Sequence, residues 1–307
     1  MGRMNVSAEV LHTVLTQEVR KANSGAEWAR WLDTAAQFPT YGFGNAVLIN
    51  LQMPQANFIA AAPGWERLGR RVVKSGAIKI LAPVRSRVLF EDKDGELTMD
   101  PQGSIRQGII GFKVANVWDV AHTVGPRTAL SPTPLPPTID GLWESLIRDA
   151  YAKGYTIDVG PRTAEIDGYT DHRARQIIIS NQLDTLSVIG RLAHEVGHLR
   201  MHSAAPGEAR ACRGLAEIEA DSFAHIALAH YGRSTRMPSF EEVMSRAVSE
   251  EPRSPESVIK AVGTRAVIAA RRFLESTGHQ VAPPLGMASR GISQDTDRLV
   301  RYSGPEL

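Results

Sequence analysis

The sequence predicts an α+β protein built as two domains. Three observations carry that expectation. Apolar residues recur at helical spacing through the first 37 residues, and strand-like alternation follows between about 72 and 120. A run with five prolines, Gly125 to Pro137, then interrupts all periodicity. Beyond it the chain is helix-rich with a few short β-branched runs, which suggests a mostly helical second unit carrying a small sheet. A single hydrophobic core rarely serves 307 residues, which also favours division. The expected boundaries are 1–125 for the first domain, 126–138 for the linker and 139–280 for the second domain. A tail at 281–307 is expected to be poorly ordered.

Composition narrows the class further. At 43% hydrophobic and 22% charged residues the chain reads as globular and water-soluble. Its net charge of +2 is too mild to imply nucleic acid by itself. Cys212 is the one cysteine, so no internal disulfide can form and a reducing compartment fits; it reads as a buried or idle thiol. No segment is long and apolar enough to span a membrane, and residues 1–6 lack a secretory apolar run, so the expected location is cytoplasmic with no membrane partner.

In the first half, Val10, Leu11, Val14 and Leu15, continued by Trp28, Trp31 and Leu32, predict helix from Ala8 to about Gln37. The segment from Tyr41 to Asn45 reads as a loop into a second helix that stops before Pro54. A helical turn is expected at Gly64–Arg71 and a turn at Val72–Gly76, with strands at Ile78–Val84 and Ile109–Val120. A hairpin is expected around Asp94-Gly95. Seven basic residues (Arg67, Arg70, Arg71, Lys74, Lys79, Arg85 and Arg87) occur without an acidic one among them, and Tyr41, Phe43 and Trp65 lie just upstream. Two readings stay open. Cations on phosphates beside base-stacking aromatics suit single-stranded nucleic acid; a solvated strand face with its aromatics in the core gives the same pattern.

The chemistry is concentrated in the second half. Asp140 caps an expected helix through Tyr151, and Tyr155–Val159 is an expected strand. Glu165–Tyr169 and Arg175–Ser180 are expected to pair about Asp171-His172. Gln176–Ser180 precedes the next helix and is expected to border a cleft, with an edge to which an extended peptide could pair. That helix carries His194-Glu195-Val196-Gly197-His198. Residues four apart share a helix face, so both imidazoles can meet one metal ion, and Glu195 is placed to act as general base on a metal-bound water. His202 is one further turn along, about 5.4 Å on, too far to join the same ion.

A third ligand is expected from Leu215–Ala224, read as another helix. The apolar face is defined by Ala216, Ala220, Phe223, Ala224, Ala227, Leu228 and Tyr231. Glu217 falls at its edge and Glu219 roughly opposite, so a charge partner is needed by Glu217. That selects Glu217 as the third ligand of zinc, with Asp221 one turn on to accept a ring N–H. Tyr169 and His225 are candidates for an assisting proton donor. Further helices are expected near Glu241–Ser249 and from Pro255 to Glu275, without evident chemistry.

Two family resemblances rest on these residues. The order Tyr41-Gly42-Phe43-Gly44-Asn45, Gln52-Met53-Pro54, Trp65 through Gly76 and Ile80-Leu81-Ala82-Pro83 resembles the N-terminal domain of ArdC-type antirestriction proteins, over roughly 8–120. The resemblance implies single-stranded-DNA binding, with Tyr41, Phe43, Asn45, Trp65, Arg67, Arg70, Arg71, Lys74 and Lys79 as candidate contacts. Gly42 stands where the family often has Ser, and Lys74-Ser75-Gly76-Ala77 carries less charge than the family's turn. The run from His194 to His202 with Glu217 to Ala224 resembles ImmA/IrrE-type metallopeptidases, over roughly 140–232. The metzincin third histidine is lacking, so the site is gluzincin-like, in a zincin domain. The resemblance implies cleavage of a protein substrate such as a transcriptional regulator. The alternative is an antirestriction-type DNA protector whose metal is mainly structural.

Overall fold

The computed structural model describes residues 6–21, 25–91, 97–98, 107–126, 139–161, 167–202, 213–233, 254–277 and 300–301. Helices and small sheets are mixed, as the α+β expectation requires. The linker at 127–138, Cys212, the helix expected near 241–249 and the Asp94-Gly95 turn lie outside the described residues.

The first half opens with α1 (Ala8–Lys21), α2 (Gly25–Gln37) and α3 (Phe43–Gln52). One continuous helix over 8–37 is thus replaced by two. The sequence between them, Ala22-Asn23-Ser24, ahead of Gly25, includes residue types that disfavour a helix interior. Helix α3 ends at Met53, whose φ of −153° has left the helical region, as the following Pro54 demands. Next come β1 (Ile59–Ala60), α4 (Ala62–Arg67) and β2 (Arg71–Val72). The long strands β3 (Ala77–Glu91) and β5 (Gln107–Asp119) pair antiparallel, with a register shift between Val84 and Arg85. Strand β4 (Leu97–Thr98) returns on β3, β1 pairs with the far edge of β5, and β6 (Thr123–Val124) pairs with β2.

The second half begins with α5 (Ile139–Ala152) and β7 (Thr156–Gly160), followed by β8 (Gly168–Asp171) and β9 (Gln176–Ser180). Strands β8 and β9 form the expected hairpin; Asp171 Oδ1 accepts the backbone N–H groups of Arg173 and Ala174, both at 2.9 Å. One expectation is corrected here. Strand β9 pairs parallel with β7 on its other side, so it is the central strand and offers no free edge to a peptide. That pairing spans twenty residues and leaves no local signal. Helices α6 (Thr185–Met201), α7 (Arg213–His230) and α8 (Pro255–Ser276) complete the unit, and β10 (Val300–Arg301) pairs parallel with β3. No helix among the described residues is long and apolar enough to cross a membrane.

The core crosses the linker. One continuous apolar cluster joins Leu15, Trp28, Leu32, Phe43 and Val47 to Leu146, Leu192, Phe223, Val262 and Phe273. Trp28 Nε1 donates to the buried Ser222 Oγ at 3.0 Å, and His225 Nε2 lies 2.7 Å from Asp33 Oδ1. The proline run therefore connects two halves that share a core, whereas composition suggested separately packed units.

Candidate metal centre

Helix α6 is started by Asp184, whose carboxylate accepts from the backbone N–H groups of Leu186 and Ser187 at 3.0 and 3.1 Å. Its buried residues are Ile189, Leu192, Ala193 and Val196 together with His194, Glu195 and Gly197, so the helix is covered on more than one side there. Helix α7 packs directly on it. A Cβ on Gly197 would sit 3.1 Å from Ala220 Cα and 3.1 Å from Phe223 Cδ1, so glycine is what lets the two helices approach. This approach brings a carboxylate from α7 to the histidines of α6.

His194 Nε2 and His198 Nε2 lie 3.0 Å apart. Glu217 Oε2 is 3.3 Å from the first and Glu217 Oε1 is 3.4 Å from the second. Among the described residues these three form a group that could hold a metal ion, with all ligand atoms within 4.8 Å of one another. A tetrahedral site with bonds of about 2.0–2.1 Å has ligand–ligand edges of about 3.3 Å, so the triangle fits a divalent ion. Asp221 Oδ1 lies 2.6 Å from His194 Nδ1. That contact places the ring proton on Nδ1 and leaves the Nε2 lone pair for a metal.

The electrostatics follow from the same contacts. Burial alone would lower the affinity of His194 for a proton. The hydrogen bonds to Asp221 and Glu217 together outweigh it and push the His194 pKa up to about 9. Glu217 is held well below the usual carboxylate range, chiefly by its hydrogen bonds to His194 and then His198.

Of the two competing glutamates, Glu217 meets the histidines, but for a reason opposite to the wheel argument. Its side chain is half exposed, at 51%, while Glu219 is the buried one, at 4%. Helix α7 is packed by α2, α6 and α8, so it has no single inner face. Glu219 Oε2 lies 2.9 Å from His202 Nε2, and its other oxygen pairs with Arg265 of α8. Burial pulls Glu219 upward, but His202 and Arg265 more than offset this and lower its pKa. His202 also faces His198, Nδ1 to Nδ1 at 3.0 Å. Neither Glu219 nor Arg265 had a readable role in the sequence.

Glu195 is buried, with one oxygen hydrogen-bonded and the other held only by an ion pair. Thr170 Oγ1 of β8 donates to Oε2 at 2.7 Å, and Arg191 forms an ion pair with Oε1 at 2.5 Å. Arg191 also donates to the Gly168 carbonyl at 2.6 Å. Neither partner was read from the sequence; the i, i+4 spacing could have pointed to Arg191, and no local signal points to Thr170. Tyr169 lies on β8 and is exposed, while His225 is buried between α2 and α7.

The candidate nucleic-acid residues divide into two groups. Tyr41, Phe43 and Trp65 are buried, so the base-stacking role is corrected: their rings pack on Phe38, on Trp28 and Trp31, and on Phe58 respectively. Burial pushes the Tyr41 hydroxyl up to about 12. Asn45 is likewise corrected. Its amide joins α3 to β3 by donating to the Leu81 carbonyl and accepting the Leu81 N–H, both at 2.9 Å. Arg70 is buried and donates to Thr123 Oγ1 at 2.8 Å and to the carbonyls of Gly125 and Pro126 at 3.0 and 2.7 Å. A guanidinium spent on carbonyls is not free for phosphate. Arg67, Arg71 and Lys74 are exposed and Lys79 is partly so.

No family model matches the chain, and no curated protein matches it in sequence. Two solved structures of the antirestriction protein ArdC from plasmid R388 are similar to it. The Mn(II)-bound structure aligns over 88% of this chain and 98% of that chain, at 15% identity and a TM-score of 0.53. The metal-free structure aligns over 77% of this chain and 85% of that chain, at 16% identity and a TM-score of 0.48. The first likeness is one of fold: the chain has an ArdC-like fold.

Proposed function

We propose that this chain is a divalent-metal protein of the antirestriction type that binds single-stranded DNA. The observation that carries the reading is the His194, His198 and Glu217 triangle set within an ArdC-like fold. The similar protein is itself an antirestriction protein, and one of its structures contains Mn(II). Zinc is the ion we favour here, because two imidazoles and one carboxylate with ordered partners behind them match its preferred donors. The DNA contacts are assigned to Arg67, Arg71, Lys74 and Lys79, which remain at the surface after the aromatics and Arg70 are withdrawn. Such a protein needs no base-edge contacts, since phosphate neutralisation supplies sequence-independent affinity.

A second reading is favoured by one observation, the buried Glu195 beside His194. A purely structural ion has no use for a carboxylate there, and a zincin-type peptidase does, as in ImmA/IrrE-type enzymes acting on a regulatory protein. A bound zinc ion would supply Lewis acidity and a water of lowered pKa. Glu195 would accept that water's proton and return it to the leaving amine. Thr170 and Arg191 orient the carboxylate for this role.

Oligonucleotide binding and peptide cleavage, measured on the same preparation of the Glu195→Gln variant, decide between the two. Unchanged protection and single-stranded-DNA affinity support the first reading, and loss of biological activity with binding intact supports the second. A wild-type chain that binds neither oligonucleotide nor zinc overturns both.

A further inference from the structure

We propose that Glu219, acting through His202, is a positioning residue for the metal ligand His198, and that Arg265 anchors this relay from α8. The inference rests on the metal-centre reading and adds to it the groups that fix the second histidine.

Three contacts form a line. Glu219 Oε2 lies 2.9 Å from His202 Nε2, His202 Nδ1 lies 3.0 Å from His198 Nδ1, and His198 Nε2 points at the other two ligands. With Glu219 ionised and His202 neutral, donor and acceptor chemistry sets the proton order along this line. An ionised carboxylate only accepts, so His202 Nε2 must carry a hydrogen. A neutral His202 then has a bare Nδ1, which can only accept, so His198 Nδ1 must carry a hydrogen. His198 is left with its lone pair on Nε2, the atom 3.0 Å from His194 Nε2 and 3.4 Å from Glu217 Oε1. Asp221 sets the same tautomer on His194 directly. The two ligand histidines are thus oriented by two carboxylates of α7, one in direct contact and one through an intervening imidazole.

Burial makes the relay selective. The Glu219 side chain is 4% exposed, and its second oxygen is taken by the Arg265 guanidinium, so it has one oxygen left for His202. Glu219 is on α7, His202 closes α6 and Arg265 is on α8, so three helices must be in register for the line to form. His202 cannot itself be a ligand in this arrangement, since both its nitrogens are committed.

The test uses the full chain with zinc and manganese ions as probes. Nitrogen-15 imidazole spectra of the metal-free wild type are expected to show His202 and His198 in opposite tautomers, with the proton on Nε2 of His202 and on Nδ1 of His198. Glu219→Gln replaces an obligate acceptor by an amide that can donate, so its zinc affinity is expected to fall ten- to hundredfold. Arg265→Gln removes the anchor but leaves the acceptor, and is expected to keep affinity within about threefold while shifting the melting temperature comparably. Zinc affinity of Glu219→Gln equal to wild type, or His202 protonated on Nδ1, overturns the relay. Equal losses in both variants show a merely structural role and overturn it too. A wild-type chain that binds neither ion overturns the metal reading instead, and the tautomer spectra, which need no metal and no variant, still decide the relay.

Discussion

Arg191 reaches one turn down α6 to pair with the Glu195 carboxylate at 2.5 Å, and it does so where Glu195 is nearly sealed from solvent. Replacing Arg191 with Met leaves a buried carboxylate with only the Thr170 hydroxyl. Stability is expected to fall by about 3 kcal/mol, the usual cost of orphaning one member of a buried pair. The double variant Arg191→Met/Glu195→Gln is expected to regain most of that loss. Urea denaturation of the set measures the coupling, and an additive double variant would mean the pair is not interacting.

The Gly197 contact predicts a second outcome. An alanine methyl would crowd Ala220 and Phe223 at 3.1 Å and push α7 outward. Gly197→Ala is expected to cost about 1–3 kcal/mol and to weaken zinc binding, since Glu217 moves with α7. Thermal melts with and without zinc separate the two effects.

The surface cations predict a salt-dependence result. Arg67→Gln/Arg71→Gln/Lys74→Gln removes three charges, and the slope of log affinity against log salt for a single-stranded oligonucleotide is expected to fall by about 2. Trp65→Ala is expected instead to destabilise the fold by about 3–5 kcal/mol, since its ring is fully buried and its Nε1 donates to the Trp118 carbonyl at 3.0 Å. A flat salt response of the wild type would remove the phosphate assignment.

A pH prediction follows from His194. Its pKa in the metal-free fold is raised from 6.5 to about 9, after burial, which lowers it, is outweighed by Asp221 and Glu217. A raised folded-state pKa stabilises the fold when the group is protonated. That contribution is therefore complete below about pH 6.5 and is lost as pH rises through about 9. Metal must displace the same proton, so zinc affinity is expected to rise across this window. Thermal melts of the metal-free chain and zinc titrations, both from pH 6 to 9.5, are expected to run in opposite directions. Asp221→Asn is expected to flatten both.

Local spacing explains what the sequence revealed. The His194, Glu195 and His198 pattern and the stop before Pro54 are both set within a few residues. Glu217 was selected by assuming that α7 has one buried face; three neighbouring helices bury almost its whole circumference, and Glu219 takes the interior position. The central place of β9 depends on a parallel partner that no neighbouring residue announces. Aromatics beside a basic run look alike whether they stack on bases or on Phe38 and Trp28; only burial separates the two. The proline run was read as a division between cores because composition changes there, yet Trp28 and Ser222 meet across it.

That meeting gives α7 a mechanical position of its own. The helix that carries Glu217 and Asp221 is braced by α2 at Trp28 and Asp33 on one side and by α6 at Gly197 on another. One beam thus joins the amino-terminal half to the metal triangle. A displacement of α2 would be carried through α7 to the third ligand.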